Sequence, residues 1–217
     1  MSTKKHPEII SQKTLVEGKF LNLVELTTEN PDGTTSKIEC TQRSCWSDEH
    51  TTEIIHEDIQ KNFGAVDSIA TAIDPKTSER IILLQKNFRP PVMNYVVELP
   101  SGFRDPGEPD PVVTGLRELK EETGYTGTNG KSAFCVRNCP IDGDERGTFI
   151  YCDIDLKSED NKNPIQNLEE DEDIEPFWTP LKDLKTTLDT LHQEQGYDID
   201  ERLYSISLGL QFALTSL

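Results

Sequence analysis

Apolar and polar residues alternate along much of the chain, and this pattern predicts a fold rich in β-strands. Two alternating stretches flank the turn sequence Asn30-Pro31-Asp32-Gly33, which predicts a β-hairpin. Similar stretches predict further strands in the rest of the chain. The predicted strands are residues 19–27, 36–41, 65–73, 80–85, 95–99, 132–136, 148–154 and 173–178.

Helical periodicity is found in three segments, residues 111–123, 181–195 and 200–213. Residues 43–62 and the acidic stretch 157–171 are predicted to be loops. Helices packed on a mixed sheet place the chain in the α/β (α+β) class, as a sandwich with an N-terminal antiparallel β-appendage. We expect residues 1–50 to form the appendage and residues 51–217 to form the main domain.

The charge balance limits the functions that this fold can serve. The chain has 40 acidic and 22 basic residues, a formal net charge of −18. This argues against a nucleic-acid groove, which needs a basic patch. An anionic substrate would be repelled unless cations bridge it to the protein. The five cysteines form no metal-binding pattern, and no segment approaches the ~20 apolar residues of a membrane span. We therefore expect a cytoplasmic protein, with the nucleus as the alternative, and no membrane partner.

The segment with the clearest chemistry is the predicted helix at residues 111–123. With about 100° of rotation per residue, Glu118, Glu121 and Glu122 share one arc. An apolar set is predicted to face the core from the opposite arc: Val112, Val113, Leu116 and Leu119. A charged helix face is usually solvated. Clustered carboxylates are, however, also the ligands that a hard cation such as Mg²⁺ selects.

The flanks of this helix favour the metal-binding alternative. Asp110 is a predicted N-cap with Pro111 at the first helical position, and Gly124 is a predicted C′ glycine. A glycine-rich lead-in begins at Gly102, directly after the predicted strand at residues 95–99. The sequence therefore predicts a strand, a loop, a carboxylate helix and a glycine stop in this order.

The segment 102–125 resembles the motif of the Nudix hydrolases, Gly-x5-Glu-x7-Arg-Glu-U-x-Glu-Glu-x-Gly-U, where U is apolar. Gly102, Glu108, Arg117 and the residues up to Tyr125 fit it, except that eight residues and not seven separate Glu108 from Arg117. The insertion lies in residues 109–111, before the helix. Whether Glu108 still pairs with Arg117 is left open by the spacing.

The resemblance extends to one branch of that family. The segments 85–91, 97–102 and 200–205, with Gly18-Lys19-Phe20, are similar to the ADP-ribose pyrophosphatases. The resemblance implies a Nudix-type α/β/α sandwich that splits ADP-ribose, or a related nucleoside diphosphate sugar, into AMP and ribose 5-phosphate. It also implies Mg²⁺, with Mn²⁺ as an alternative, and a homodimer formed through the N-terminal β-region.

Site roles follow from the same resemblance. It implies metal binding by Glu118, Glu121, Glu122 and the Ser101 carbonyl, and a catalytic role for Glu121 and Arg117. The catalytic base is expected in the acidic segment 168–175, where the spacing selects Glu172 over Glu170. Substrate binding is implied for five further residues: Phe20, Glu39, Arg43, Arg89 and Glu98.

Some positions depart from the branch and leave alternatives open. Arg89 suits phosphate through its planar fork but can instead form a structural salt bridge. The second adenine-stacking position is Ile38, and the nucleoside loop reads Cys139-Pro140-Ile141. A Nudix hydrolase of another nucleoside diphosphate, such as an oxidised nucleotide, is therefore a second hypothesis. A nucleotide-binding Nudix protein without turnover is a third.

Overall fold

The computed structural model describes residues 6–43, 64–105, 107–108, 110–137, 143, 145–170 and 172–215. The predicted nucleoside loop at residues 139–141 and most of the predicted loop at 43–62 lie outside these residues. Within them the chain forms the following elements: β1 Glu8–Val16, β2 Leu21–Glu29, β3 Thr35–Arg43, β4 Ala65–Ile73, β5 Arg80–Arg89, β6 Asn94–Glu98, β7 Ser101–Phe103, α1 Pro111–Thr123, β8 Gly127–Ser132, β9 Val136–Arg137, β10 Arg146–Ile154, β11 Ile174–Pro180, α2 Leu184–Gln195, β12 Asp198–Ile199 and α3 Glu201–Thr215.

The chain divides into two units. The first comprises Met1–Gly64 with Cys135–Gly147, and the second comprises Ala65–Phe134 with Thr148–Leu217. In the first unit, β1, β2 and β3 form a three-stranded antiparallel sheet. The predicted hairpin is confirmed, with Leu26 opposite Ile38. Strand β1 was not predicted, because every one of its residues is exposed and no apolar alternation marks it.

A mixed sheet forms the centre of the second unit, with the order β12-β6-β5-β4-β10-β8. Strand β11 pairs with β5, and β7 pairs with β4. The parallel pairing of β12 with β6 makes the sheet mixed. The predicted strand at residues 132–136 is wrong. The structure has β8 at Gly127–Ser132, whose polar, glycine-bearing sequence gives no strand pattern.

Helices cover both faces of this sheet. Leu119 of α1 packs with Ile81 and Leu83 of β5 on one face. On the other face, α2 and α3 pack against the opposite side of β5 through a second apolar cluster that includes Leu188 and Leu203. The expected α/β/α sandwich is therefore confirmed, and β5 is its central strand. Among the described residues, no helix is both long and apolar enough to span a membrane.

Candidate active site

Helix α1 begins and ends where the sequence predicts. The Asp110 side chain accepts a hydrogen bond from the Val112 backbone N–H at 2.9 Å, and Pro111 opens the helix. Gly124 ends it with a left-handed φ of 76°, and its N–H donates to the carbonyl of Lys120. Because both ends are fixed, the rotation of each carboxylate about the helix axis is fixed as well.

The face that α1 buries matches the predicted one only in part: Leu119 is buried and Leu116 packs against the same apolar cluster. Val113, predicted to be in the core, is 49% exposed, whereas Glu122 is only 3% exposed. The buried residues are Thr114, Gly115, Leu119, Glu122 and Thr123. At about 100° per residue, this arc is centred roughly 80° from the predicted apolar arc.

Close packing explains the rotation of α1. A methyl group at Gly115 would stand 2.5 Å from Cδ1 of Ile150 and 2.9 Å from Cγ1 of Val66. Only a small residue allows the helix to approach the sheet so closely. The small residues of the helix therefore face the sheet. Glu118 and Glu122 lie on neighbouring positions of the same arc, so they also point towards the sheet.

Glu122 is held between α1 and the sheet by hydrogen bonds from two strands. Its Oε2 accepts a hydrogen bond of 2.8 Å from the Ser101 backbone N–H, at the start of β7. Its Oε1 accepts one of 3.1 Å from Nε2 of Gln85 on β5. Burial raises the pKa of Glu122 well above its ordinary value, although both hydrogen bonds oppose that shift.

Glu118 lies one turn before Glu122, against the backbone of β7. An added Cβ at Gly102 would fall 2.0 Å from the carboxyl carbon of Glu118. Burial raises the pKa of Glu118 to about 7, opposed by the nearby Arg117 guanidinium, whose Nη1 lies 2.9 Å from Glu118 Oε1. The charges of Glu121 and Glu172 raise this pKa further, so both carboxylates lie close enough to act on it.

The Glu108–Arg117 pair survives the extra residue in the motif. Arg117 Nε donates to Glu108 Oε1 at 2.9 Å, and Thr114 Oγ1 donates to Glu108 Oε2 at 2.7 Å. Arg117 also binds Glu121 and the Phe103 carbonyl, each at 2.9 Å. The hydrogen bonds from Arg117 lower the pKa of Glu108 to about 2. The insertion is therefore absorbed before the helix, and the loop remains fastened to α1.

A further buried carboxylate, Glu98 of β6, is 5% exposed and lies beside Glu122. Arg89 binds it in a bidentate manner, with Nη2 at 2.7 Å and Nε at 3.1 Å. Asn87 Nδ2 donates to Glu98 Oε1 at 3.1 Å. Arg89 thus forms the structural salt bridge that the sequence left open, while its side chain remains 44% exposed.

The acidic loop that precedes β11 is tied to α1. Gln166 Nε2 donates to the carbonyls of Glu122, at 2.6 Å, and of Ile174, at 2.9 Å, and so joins the helix to the start of β11. The Asn167 N–H donates to the Glu121 carbonyl at 2.8 Å. At the tip, Glu172 Oε2 accepts from the Glu169 N–H at 2.9 Å. The loop residues therefore stay near the carboxylates of α1.

The other predicted substrate residues belong to the first unit. Phe20 is 64% exposed, with the Lys19 ammonium 4.6 Å from its ring centroid. Glu39 on β3 stands opposite Glu25, and Arg43 at the end of β3 pairs with Glu145 at 3.2 Å. Ile38, at the second stacking position, is 50% exposed. Their role in binding substrate stays a prediction.

The donor set of α1 and β7 fits a hard divalent cation. Among the described residues, no three acidic, histidine or cysteine side chains already converge as metal ligands. Nevertheless, Glu118 and Glu122 both reach β7, and burial makes the charged form of each unfavourable. Carboxylates of this kind gain most from a cation that neutralises them, and carboxylate oxygens are the ligands that Mg²⁺ prefers. The Ser101 carbonyl stays a predicted ligand.

Sequence reasoning missed three amide side chains in this site. Gln85, Asn87 and Gln166 each donate to a site carboxylate or to the backbone that supports it. The available signal was the position of Gln85 and Asn87, two polar residues that alternate along β5 directly after its apolar run. Gln166 gives no comparable signal.

Comparisons with known proteins agree with this geometry. A family model described as the NUDIX domain matches residues 65–201. The chain is 36% identical over 158 residues to the ADP-ribose pyrophosphatase of Saccharomyces cerevisiae, covering 70% of this chain and 67% of that protein. It is 29% identical over 207 residues to the ADP-sugar pyrophosphatase of Mus musculus, covering 94% and 88%.

The fold of the chain is also similar to that of a solved structure. The crystal structure of an ADP compounds hydrolase aligns with a TM-score of 0.64 at 16% identity, covering 100% of this chain and 98% of that one. The family match includes the strand β7, the loop fastened by Glu108, and the carboxylate helix α1. The chain belongs to the Nudix hydrolase family.

Proposed function

We propose that this protein hydrolyses the pyrophosphate bond of ADP-ribose, or of a related nucleoside diphosphate sugar, to release AMP and the sugar phosphate. The observation that carries the proposal is the pair of buried carboxylates, Glu118 and Glu122, which α1 holds against β7. Burial makes these two carboxylates costly to ionise, and a bound cation would offset that cost by neutralising their charge. The names of the yeast and mouse relatives point to the substrate class.

The proposed cofactor is Mg²⁺, with Mn²⁺ as an alternative. ADP-ribose pyrophosphatases of this family generally use divalent metal cations. The proposed ligands are Glu118, Glu121, Glu122 and the Ser101 carbonyl. When bound, the cation neutralises the pyrophosphate oxygens and stabilises the leaving phosphate. Arg117 orients Glu118 and Glu121, since its guanidinium binds both.

Glu172 is the proposed base that accepts a proton from the attacking water. Its charge acts on Glu118, so it lies close to the carboxylate helix. The Glu169 N–H fixes one of its oxygens and leaves the other for a water molecule. Glu170, two residues earlier in the same loop, is the alternative.

Substrate-binding roles are proposed for five residues, each described within its own unit. In the second unit, Arg89 offers the exposed part of its guanidinium to a phosphate, and Glu98 holds it in place. In the first unit, Phe20 is proposed to stack on the base, with Glu39 and Arg43 as hydrogen-bonding partners. A single ring forgoes about 0.5–1.5 kcal/mol of stacking relative to two. The base preference is therefore expected to be loose.

A homodimer formed through the first unit is also proposed. Its three-stranded sheet exposes Ile9, Ile10 and Val16 by 58%, 52% and 59%. A second copy of the chain that covered these side chains would remove apolar surface from water. Sedimentation at micromolar concentration is expected to give twice the mass of one chain, and a monomer would contradict the proposal.

The test of the proposed function is hydrolysis of ADP-ribose with and without Mg²⁺, with products separated by chromatography. Wild-type protein is expected to release AMP and ribose 5-phosphate only with the metal, and Glu122→Gln is expected to abolish this. Glu194→Gln, which removes one charge from an exposed position on α2, is the matched control. Comparison of Glu172→Gln with Glu170→Gln identifies the base, because only its loss is expected to reduce kcat by about 10²–10⁴-fold.

Other outcomes would favour the remaining hypotheses. Turnover of an oxidised nucleoside diphosphate but not of ADP-ribose would keep the carboxylate helix as the catalytic element and change the substrate. Tight nucleotide binding without turnover of any compound would contradict an enzymatic function.

A further inference from the structure

Gln85 is a fully buried polar side chain of the site. It lies in the middle of β5 with no exposed surface, directly after the buried Leu83 and Leu84. A buried amide is costly unless hydrogen bonds replace those it makes with water. Its presence at this position therefore calls for a specific polar partner.

The carboxylates of Glu122 and Glu98 are the hydrogen-bond partners of the Gln85 amide. Gln85 Nε2 donates to Glu122 Oε1 at 3.1 Å and to Glu98 Oε1 at 3.4 Å. An amide nitrogen has two hydrogens, one for each carboxylate. The amide nitrogen faces the two acids in their ionised, metal-binding form, because ionised carboxylates would repel the amide oxygen in the same place.

The amide oxygen gives a second, independent observation. Gln85 Oε1 is buried and has no hydrogen-bond partner among the described residues. A buried polar atom without a partner is rare and needs a physical explanation. In this orientation the nitrogen of Gln85 lies between Glu98 and Glu122, and its oxygen is left without a hydrogen bond.

The two carboxylates depend on Gln85 to different degrees. Glu98 also has Asn87 and the bidentate Arg89 as donors. Glu122 has only the Ser101 N–H besides Gln85 among its described donors. Loss of Gln85 would therefore leave Glu98 anchored and would free one oxygen of Glu122.

From these contacts we propose that Gln85 is a positioning residue, which fixes the plane of the Glu122 carboxylate and holds it apart from Glu98. This inference rests on the proposed function, because it assigns Glu122 to the metal. Outer residues of this kind commonly change metal affinity or activity by about 10–100-fold when they are replaced. Gln85 never touches the substrate in this role, so its effect is expected on the metal and not on substrate affinity.

The test is Gln85→Met, which keeps the length of the side chain and removes the donor. Binding of Mn²⁺ without substrate is measured by electron paramagnetic resonance, and the Mg²⁺ dependence of ADP-ribose hydrolysis is measured separately. The dissociation constant for Mn²⁺ is expected to rise by about 10–100-fold. The KM for ADP-ribose at saturating Mg²⁺ is expected to stay within about 2-fold, since the variant leaves the Arg89–Glu98 pair intact.

A matched control removes a different buried hydrogen bond near β5. Thr179 on β11 lies opposite Ile82, is 3% exposed and shares a hydrogen bond of 2.9 Å with Thr187. Thr179→Val should lower Tm without changing Mn²⁺ affinity. Gln85→Asn is the second variant. It keeps an amide donor on a shorter side chain and is expected to bind Mn²⁺ more tightly than Gln85→Met.

Three outcomes would overturn the proposal. One is wild-type Mn²⁺ affinity in folded Gln85→Met. Another is a similar loss of affinity in Thr179→Val, which would show that general destabilisation causes the effect. Absence of Mn²⁺ binding by the wild-type protein would refute the metal assignment and the role of Gln85 together, whereas the first two outcomes leave the proposed function intact.

Discussion

Gly102→Ala tests whether the position of the Glu118 carboxylate matters for turnover. The new methyl group would stand 2.0, 2.2 and 2.4 Å from the carboxyl carbon and the two oxygens of Glu118. Ordinary contacts require about 3.5 Å, so the carboxylate has to move by more than about 1 Å. A displacement of this size in a catalytic group costs about 10²-fold in rate.

The same substitution is expected to spare the fold. The groups that must move are the far end of a flexible side chain, and the backbone of Gly102 has no left-handed φ. Alanine also restricts the unfolded chain, which contributes about 0.4–1 kcal/mol in favour of folding. We therefore expect Tm to change by less than about 3 °C.

The assay combines kcat for AMP release at saturating Mg²⁺, the Mg²⁺ activation constant and Tm. Gly209→Ala is the control, since an added Cβ there meets nothing within 4 Å in helix α3. It should gain up to about 1 kcal/mol from helix propensity and keep full activity. Glu118→Asp shortens the carboxylate and makes room for the methyl group. Its effect should therefore be less than additive with that of Gly102→Ala.

Two results would refute the reasoning. Wild-type kcat and Mg²⁺ dependence in Gly102→Ala would show that Glu118 acts equally well from a displaced position. A fall in Tm of more than about 8 °C would show that β7 itself moves, and the loss of activity would then say nothing about the carboxylate.

Three further predictions follow from contacts around α1. Glu108→Gln should make the free energy of unfolding less dependent on pH in the acidic range. The folded pKa of Glu108 is lowered from 4.5 to about 2. The stabilisation by ionised Glu108 is therefore present above about pH 4.5 and is lost as pH falls through 2. Denaturant titrations should show a difference of about 1–2 kcal/mol at neutral pH that disappears as pH falls below about 2, and an equal difference in Glu194→Gln would contradict this cause. Gly115→Ala should destabilise the protein by about 1–3 kcal/mol through overpacking against the sheet, and an unchanged Tm would show that the helix can retreat. Gln166→Met should lower kcat but not Mn²⁺ affinity, because Gln166 ties the loop of Glu172 to α1, and a change in Mn²⁺ affinity alone would contradict that division.

Local signals predicted the local structure well. Asp110, Pro111 and Gly124 defined the limits of α1, and the turn at residues 30–33 defined the hairpin. Each depends on backbone chemistry within a few residues, which a single sequence contains. The pairing of Glu108 with Arg117, which the spacing left open, needed coordinates because the loop between them absorbs the insertion.

The buried surroundings of the site could not be predicted in the same way. Periodicity placed Val113 in the core, but the size of Gly115 and its distance from Ile150 decide which arc of α1 faces the sheet. The contact between Gln85 and Glu122 joins residues that lie 37 positions apart. Such contacts depend on how closely elements pack, and a pattern of apolar residues does not contain that information.

The polar half of β5 has a consequence for folding. On the face covered by α1, the strand presents Ile81 and Leu83, and then Gln85, Asn87 and Arg89. A slip of one residue in the pairing of β5 with β6 would exchange its two faces. In a strand that is apolar on both sides, such a slip would cost little. Here it would place Leu84 among the carboxylates and Gln85 among leucines, so the groups proposed for catalysis also specify the alignment of the central strand.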